Sequence, residues 1–147
     1  MPDVESLWER LVSRGFKRTQ PRQVVLAEVA ARRTPFTAAG IVEAVQEQVP
    51  GIGRATVFRT LDMLAGLGVL HPIQDDGGHG AGQAYLVCEP VHHHHLICSS
   101  CNAVWDFVES ELEARIATVA RSQAFQLEGH RLELYGLCAA CRTTEPA

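Results

Sequence analysis

The first 70 residues contain no histidine and no cysteine. All seven histidines (His71, His79, His92, His93, His94, His95, His130) and all five cysteines (Cys88, Cys98, Cys101, Cys138, Cys141) come later, so the common metal-ligand types are confined to the second half. No stretch approaches the ~20 apolar residues that span a bilayer, and the opening Met-Pro-Asp-Val-Glu lacks the basic and apolar regions of a signal peptide. The expectation is a cytoplasmic protein with no membrane partner. Cysteines are odd in number, which argues against a fully paired disulfide framework; in a reducing compartment they read as metal ligands or redox groups, with zinc the first suspicion. There is no internal repeat and no low-complexity tract beyond four consecutive histidines. With 147 residues, 46% hydrophobic and 20% charged, a disordered or collagenous chain is excluded, and one domain or two small ones fit.

Charge divides where the histidines begin. Residues 1–70 carry nine Lys/Arg against seven Asp/Glu, whereas residues 71–147 carry four against ten. A mildly basic half can approach a polyanion, but so small an excess is also what a solvated surface shows. Motifs must decide.

The first half reads as four short helices. Leu7, Trp8, Leu11 and Val12 form one apolar stripe, ended by Gly15; Thr19 and Pro21 open a second helix with Val24, Val25 and Val29 inward. Thr37 caps a third helix carrying Ile41, Val42 and Val45, which ends before Pro50-Gly51. A fourth starts near Arg54 and presents Val57, Leu61, Leu64 and Leu67. Short helices with brief turns suit a helix-turn-helix. Residues 69–73 and 84–87 then read as strands around the glycine-rich loop 75–82, the outline of a β-hairpin wing, with Pro72 suited to an edge.

The remainder alternates strand, helix, strand. Strands are expected at 95–97, 104–108, 125–128 and 131–135, and a helix opens at Ser110 with Leu112, Ile116, Val119 and Ala120 inward. A domain boundary falls near residues 88–92, giving units 1–88 and 89–147.

Cys98-x-x-Cys101 and Cys138-x-x-Cys141 are the strongest local signal. Two such knuckles let four thiolates meet tetrahedrally around zinc, and a set with no open position is structural. The 36 intervening residues exceed a compact zinc ribbon, so a helix and strands must return the second knuckle to the first. A redox or disulfide pairing is the alternative. In an extended segment His93 and His95 point to one side and His92 and His94 to the other, so four imidazoles can feed two metals; a solvated polar edge is the bland reading. Cys88 alone would be a small buried hydrophobe, His71 and His130 turn residues, and Glu113 the far half of a capping box begun by Ser110.

The segments Gly53-Arg-Ala-Thr-Val-Phe-Arg-Thr-Leu61, His92-His-His-His-Leu-Ile-Cys98-x-x-Cys101, Leu112-Glu113-Ala114, Gly129-His130-x-Leu-x-Leu-Tyr-Gly136 and Cys138-x-x-Cys141 together resemble the ferric uptake regulator family, in order from about residue 15 to 142. The resemblance implies an α+β protein: an N-terminal winged helix-turn-helix domain and a C-terminal α/β dimerisation domain with structural zinc. It also implies a homodimer that binds double-stranded operator DNA in response to metal. Where the iron and peroxide branches usually offer a carboxylate and a histidine, this chain has Leu86 and the Thr34-Pro35-Phe36 region. Cys88 instead stands where the zinc uptake regulators are similar, and a thiolate selects zinc over harder ions. The resemblance thus implies a regulatory site of His71, Cys88, His93 and His95, and a second site of His92, His94, Glu113 and His130. Asp62 is a less suited substitute ligand, since it precedes the hinge.

For DNA, Arg54, Thr56, Phe58 and Arg59 on the fourth helix include groups able to reach phosphates or base edges. Phe58 stands where the family usually has Tyr. Arg18, Thr19 and Arg22, with Arg14 and Lys17, are candidates for phosphate contacts, which position without specifying sequence. The expected function is a zinc-dependent repressor of metal uptake genes, and not an enzyme. Within the same family a manganese, iron or nickel sensor is the alternative. From another class, a zinc hydrolase or deaminase is disfavoured, since the deaminase signature His-x-Glu with Pro-Cys-x-x-Cys does not occur.

Overall fold

The computed structural model describes residues 2–73, 83–88 and 91–143. The wing-tip loop and His79 lie outside the described residues. The chain forms two compact units, Met1–Pro90 and Val91–Ala147.

In the first unit, helix α1 (Val4–Ser13) is capped by Asp3, whose carboxylate accepts the Ser6 N–H at 2.8 Å. It buries Leu7, Trp8 and Leu11, while Val12, expected on the same stripe, falls at its margin and is exposed. Gly15 ends the turn at a φ of +84°, a conformation that favours glycine. Helix α2 (Gln20–Ala31) follows extended Thr19, which makes no side-chain cap bond, and has Pro21 in its first turn. Helix α3 (Ala38–Gln48) begins at Thr37, whose hydroxyl accepts the Gly40 N–H at 3.1 Å. Helix α4 (Arg54–Gly66) buries Val57, Thr60, Leu61 and Leu64. The Thr60 hydroxyl is satisfied by donating to the Thr56 carbonyl at 2.8 Å.

Strands β2 (Leu70–Ile73) and β3 (Ala84–Val87) pair antiparallel as the wing, with His71 opposite Leu86 and Leu70 opposite Val87. On the other side of β3 lies β1 (Phe36–Thr37), too short to show a period-two pattern in sequence. Pro72 therefore sits on an edge strand, where its missing N–H interrupts no ladder.

The second unit is a three-stranded sheet in the order β5-β4-β6, built from β4 (His94–Cys98), β5 (Val104–Phe107) and β6 (Glu133–Gly136). The pairing of β4 with β5 is antiparallel and that with β6 parallel, so a crossover is required, and α5 (Ser110–Ser122) supplies it. A last turn, α6 (Ala139–Arg142), follows β6.

Three expectations are corrected here. Residues 125–128 alternate apolar and polar but form no strand, because the ladder described ends at β5 and β6 and gives them no partner. The cap of α5 is Glu109, whose carboxylate accepts the Glu111 N–H at 3.1 Å; Ser110 is already helical and Glu113 is engaged elsewhere. Nor are Leu112, Ile116, Val119 and Ala120 fully buried: α5 has no fully buried residue, and Val119 is 65% exposed. On the sheet, Leu96, Trp105 and Leu134 align across the three strands and are 41%, 47% and 44% exposed, a contiguous apolar stripe.

Thr37→Ala is expected to lower the stability of the first unit by about 1 kcal/mol, the usual worth of a hydroxyl cap. Thr19→Ala, which removes no cap bond, should cost measurably less in the same urea titration.

Candidate metal centres and nucleic-acid interface

The parallel register of β4 and β6 sets Cys98 beside Gly136, and Cys138 follows two residues later. The Ser99 N–H donates to the Gly136 carbonyl at 2.8 Å and fixes the approach. All four sulfurs of Cys98, Cys101, Cys138 and Cys141 then lie within 4.8 Å of one another, with Cys101 and Cys138 3.8 Å apart. Backbone N–H groups point at this cluster: that of Cys138 toward Cys98 Sγ at 3.3 Å and that of Cys141 toward Cys138 Sγ at 3.4 Å. The N–H groups of Cys101 and Cys138 lower the Cys98 pKa to about 6. At Cys141 a hydrogen bond with Ser100 pulls downward, but the Cys138 and Cys101 sulfurs outweigh it and push the thiol up to about 12. Four sulfurs this close repel one another as thiolates, which is the donor chemistry a tetrahedral dication satisfies.

A second cluster gathers on one carboxylate oxygen. Glu113 Oε1 on α5 lies 2.5 Å from His94 Nε2, 3.2 Å from His92 Nε2 and 3.4 Å from His130 Nε2. The imidazoles of His92 and His130 have centroids 4.6 Å apart, and the buried Nδ1 of His94 has no hydrogen-bond partner among the described residues. Hydrogen bonding with His94, then His92, holds the Glu113 carboxyl below its ordinary range against an opposing effect of burial. Three nitrogens and one oxygen that converge in this way suit zinc or another divalent ion.

The residues expected at a regulatory site fall in both units. In the first, His71 on β2 and Cys88, just past β3, offer ligand atoms within 4.8 Å of each other. The Cys88 N–H donates to the Val69 carbonyl at 2.8 Å, which extends the wing ladder by one bond. In the second, His93 and His95 project to the same side, their ring centroids 4.8 Å apart. Asp106, which the sequence reading passed over, is directly opposite His95 in the β4–β5 register, with its Oδ1 3.0 Å from His95 Nδ1. A polar residue alternating with Trp105 and Phe107 was the available signal. Burial lowers the His95 pKa, and the Asp106 hydrogen bond only partly opposes that.

On α4, Arg54, Phe58 and Arg59 are exposed, away from the buried Val57, Leu61 and Leu64; Thr56 is half-buried. Arg18 is ion-paired with Glu5 and lies over the Trp8 ring, 5.3 Å from its centroid. Arg22 donates to the Lys17 carbonyl, and Thr19 flanks α2 as its N-cap.

The family model described as the ferric uptake regulator family matches residues 13–135. The chain belongs to that family. The ferric uptake regulation protein of Campylobacter jejuni is 31% identical over 129 residues, covering 86% of this chain and 80% of that one. The peroxide-responsive repressor of Staphylococcus saprophyticus is 27% identical over 132 residues, covering 90% and 86%. Among solved structures, a zinc uptake regulator complexed with zinc and DNA superposes with a TM-score of 0.74 at 26% identity, over 95% of this chain and 93% of that one. Members of the ferric uptake regulator family are dimeric, metal-responsive, DNA-binding transcription regulators and not enzymes. The fold is that of the family's structures, which have an N-terminal winged-helix DNA-binding domain and a C-terminal dimerisation domain. No helix among the described residues is long and apolar enough to cross a membrane.

His94→Ala is expected to raise the Glu113 pKa toward its ordinary 4.5, read by carboxyl NMR of protein freed of metal. Because the folded value is depressed, the stability this carboxylate contributes is present above the ordinary pKa and fades as pH falls through the folded one. An unmoved Glu113 pKa would contradict the geometry.

Proposed function

We propose that the chain is a zinc-dependent repressor of metal uptake genes, with residues 1–88 reading the operator and 89–147 dimerising and binding metal. The observation that carries this reading is the Cys88 thiol beside His71 at the end of the wing, since soft sulfur with imidazole favours zinc over manganese. His71, Cys88, His93 and His95 form the regulatory site, three nitrogens and one sulfur. A zinc held by these residues would supply a cross-link without redox chemistry. His71 and Cys88 hold the wing end, His93 and His95 hold the start of the dimerisation domain, and both pairs together limit the angle between domains. Arg54, Thr56, Phe58 and Arg59 of each protomer then meet successive half-sites, with Arg18, Thr19 and Arg22 toward phosphates. Cys98, Cys101, Cys138 and Cys141 hold a structural zinc.

A second reading has one specific observation in its favour: the cluster of His92, His94, Glu113 and His130 contains no sulfur and accepts manganese, iron or nickel. In that case the sensing role moves to this cluster.

Operator affinity separates the two, measured on a genomic DNA fragment selected by the zinc-loaded dimer. Zinc is expected to tighten binding by roughly 5- to 150-fold, the ordinary size of allosteric coupling. Cys88→Ser should remove that response while leaving the dimer intact. Equal affinities with and without zinc would overturn the switch, and loss of response in His130→Ala but not in Cys88→Ser would reverse the roles of the two sites. Separately, Cys138→Ser should lower bound zinc by one ion per chain and abolish cooperative unfolding of the dimerisation domain by calorimetry.

A further inference from the structure

The two arginines assigned to phosphates around the start of α2 are held in different ways. Arg22 donates to the Lys17 backbone carbonyl, a neutral acceptor that leaves its charge in place. Arg18 gives its guanidinium to a carboxylate: Nη1 donates to Glu5 Oε2 at 3.3 Å and Nη2 donates to Glu5 Oε1, so the two N–H groups of the fork's end are taken together. Hydrogen bonding with Arg18 holds the Glu5 carboxyl below its ordinary range, and the same bond raises the pKa of Arg18.

The pair stands on a rigid floor. Arg18 Cζ lies over the Trp8 ring, 5.3 Å from its centroid, and Trp8 is fully buried with its indole N–H donated to Gln23 Oε1 on α2. Glu5 and Trp8 are three residues apart on α1, so one face of that helix supplies both the floor and the counter-ion. Beside them a hollow of about 320 Å³, lined by Trp8, Arg18, Thr19, Gln20 and Gln23, opens to the surface. The side chains of Arg18 and Glu5 are 51% and 64% exposed, so their bond is made in water and gives way to another anion at small cost.

We propose that Glu5 is an internal competitor for the DNA backbone: its carboxylate occupies the end of the guanidinium fork that Arg18 offers to a phosphate, and so lowers the affinity of the chain for any duplex. A phosphate and a carboxylate use the same bidentate N–H pair. Arg18 therefore meets DNA either by leaving Glu5 or through its other edge with a charge already neutralised, and both routes weaken the contact. The effect is the same for every sequence, because phosphates position a protein without specifying bases. Glu9, one turn further along α1, is also exposed and attracts Arg18 by charge alone, which makes it the reference for a general field effect. The inference rests on the assignment of Arg18 to phosphates.

The test measures binding of the metal-loaded, full-length dimer to a selected operator fragment and to a random duplex of equal length. An exposed ion pair is worth about 1.5- to 5-fold per protomer, so Glu5→Gln is expected to tighten binding to both duplexes by about 2- to 25-fold for the dimer. Glu9→Gln should tighten it less. Arg18→Ala should weaken binding to both duplexes and reduce the slope of log affinity against log salt by about one per protomer. Glu5→Gln added to Arg18→Ala should gain no more than Glu9→Gln does in that background. A pair that only clamped α1 to the start of α2 would give the opposite sign, since loosening it weakens binding. A Glu5→Gln gain no larger than that of Glu9→Gln, or one undiminished in the Arg18→Ala background, would overturn the competition while the phosphate assignment stands. Unchanged affinity and salt slope in Arg18→Ala would overturn that assignment and the competition with it.

Discussion

Alternation of side chains over residues 92–95, leading into β4, is the constraint on which both histidine clusters depend. Because successive side chains leave an extended backbone on opposite sides, the rings of His92 and His94 come together on one side and those of His93 and His95 on the other. A helix would have spread the same four imidazoles around a cylinder. One residue of slippage in β4 would exchange the two pairs, so register specifies which cluster each histidine joins. That register is held by pairing on both edges of β4: antiparallel to β5, which sets Asp106 against His95, and parallel to β6, which brings Gly136 beside Cys98.

Helix α5 does two things at once. As the crossover between β5 and β6 it makes the parallel pairing possible, and so returns Cys138 and Cys141 to Cys98 and Cys101. It also carries Glu113 at the turn that faces His92, His94 and His130. A capping box would have required that carboxylate to reach back to its own helix. The helix is instead capped by Glu109, which frees Glu113 for the three imidazoles.

What the sequence showed plainly were features with local chemistry: the two Cys-x-x-Cys knuckles, the helices of the first unit with their apolar faces, and the wing strands with Pro72 at an edge. Helix α4, expected to begin near Arg54, does so, and Thr37 caps α3 through its hydroxyl as its residue type suggests. What it hid depends on contacts distant in sequence. Strand β1 has two residues and exists only because β3 offers it an edge. Residues 125–128 alternate as a strand should, yet have no partner strand among the described residues. Ser110 is the cap its residue type suggests, yet Glu109 caps the helix and Glu113 lies among the histidines instead. Asp106 looks like one solvated carboxylate among many until the register places it against His95.

The same alternation sets two clusters of candidate ligands beside the exposed apolar stripe. His94, Leu96 and Cys98 leave β4 on one face: His94 contributes to the imidazole cluster, Cys98 to the sulfur cluster, and between them Leu96 joins Trp105 and Leu134 in the exposed apolar stripe. An apolar stripe of this kind on an isolated subunit favours association, and in a dimeric family its natural cover is the second copy. Covering Leu96 excludes water from the strand that orients both neighbours. Conversely, a change in the packing of His94 or Cys98 displaces the backbone on which Leu96 sits, because interiors transmit strain rather than absorb it.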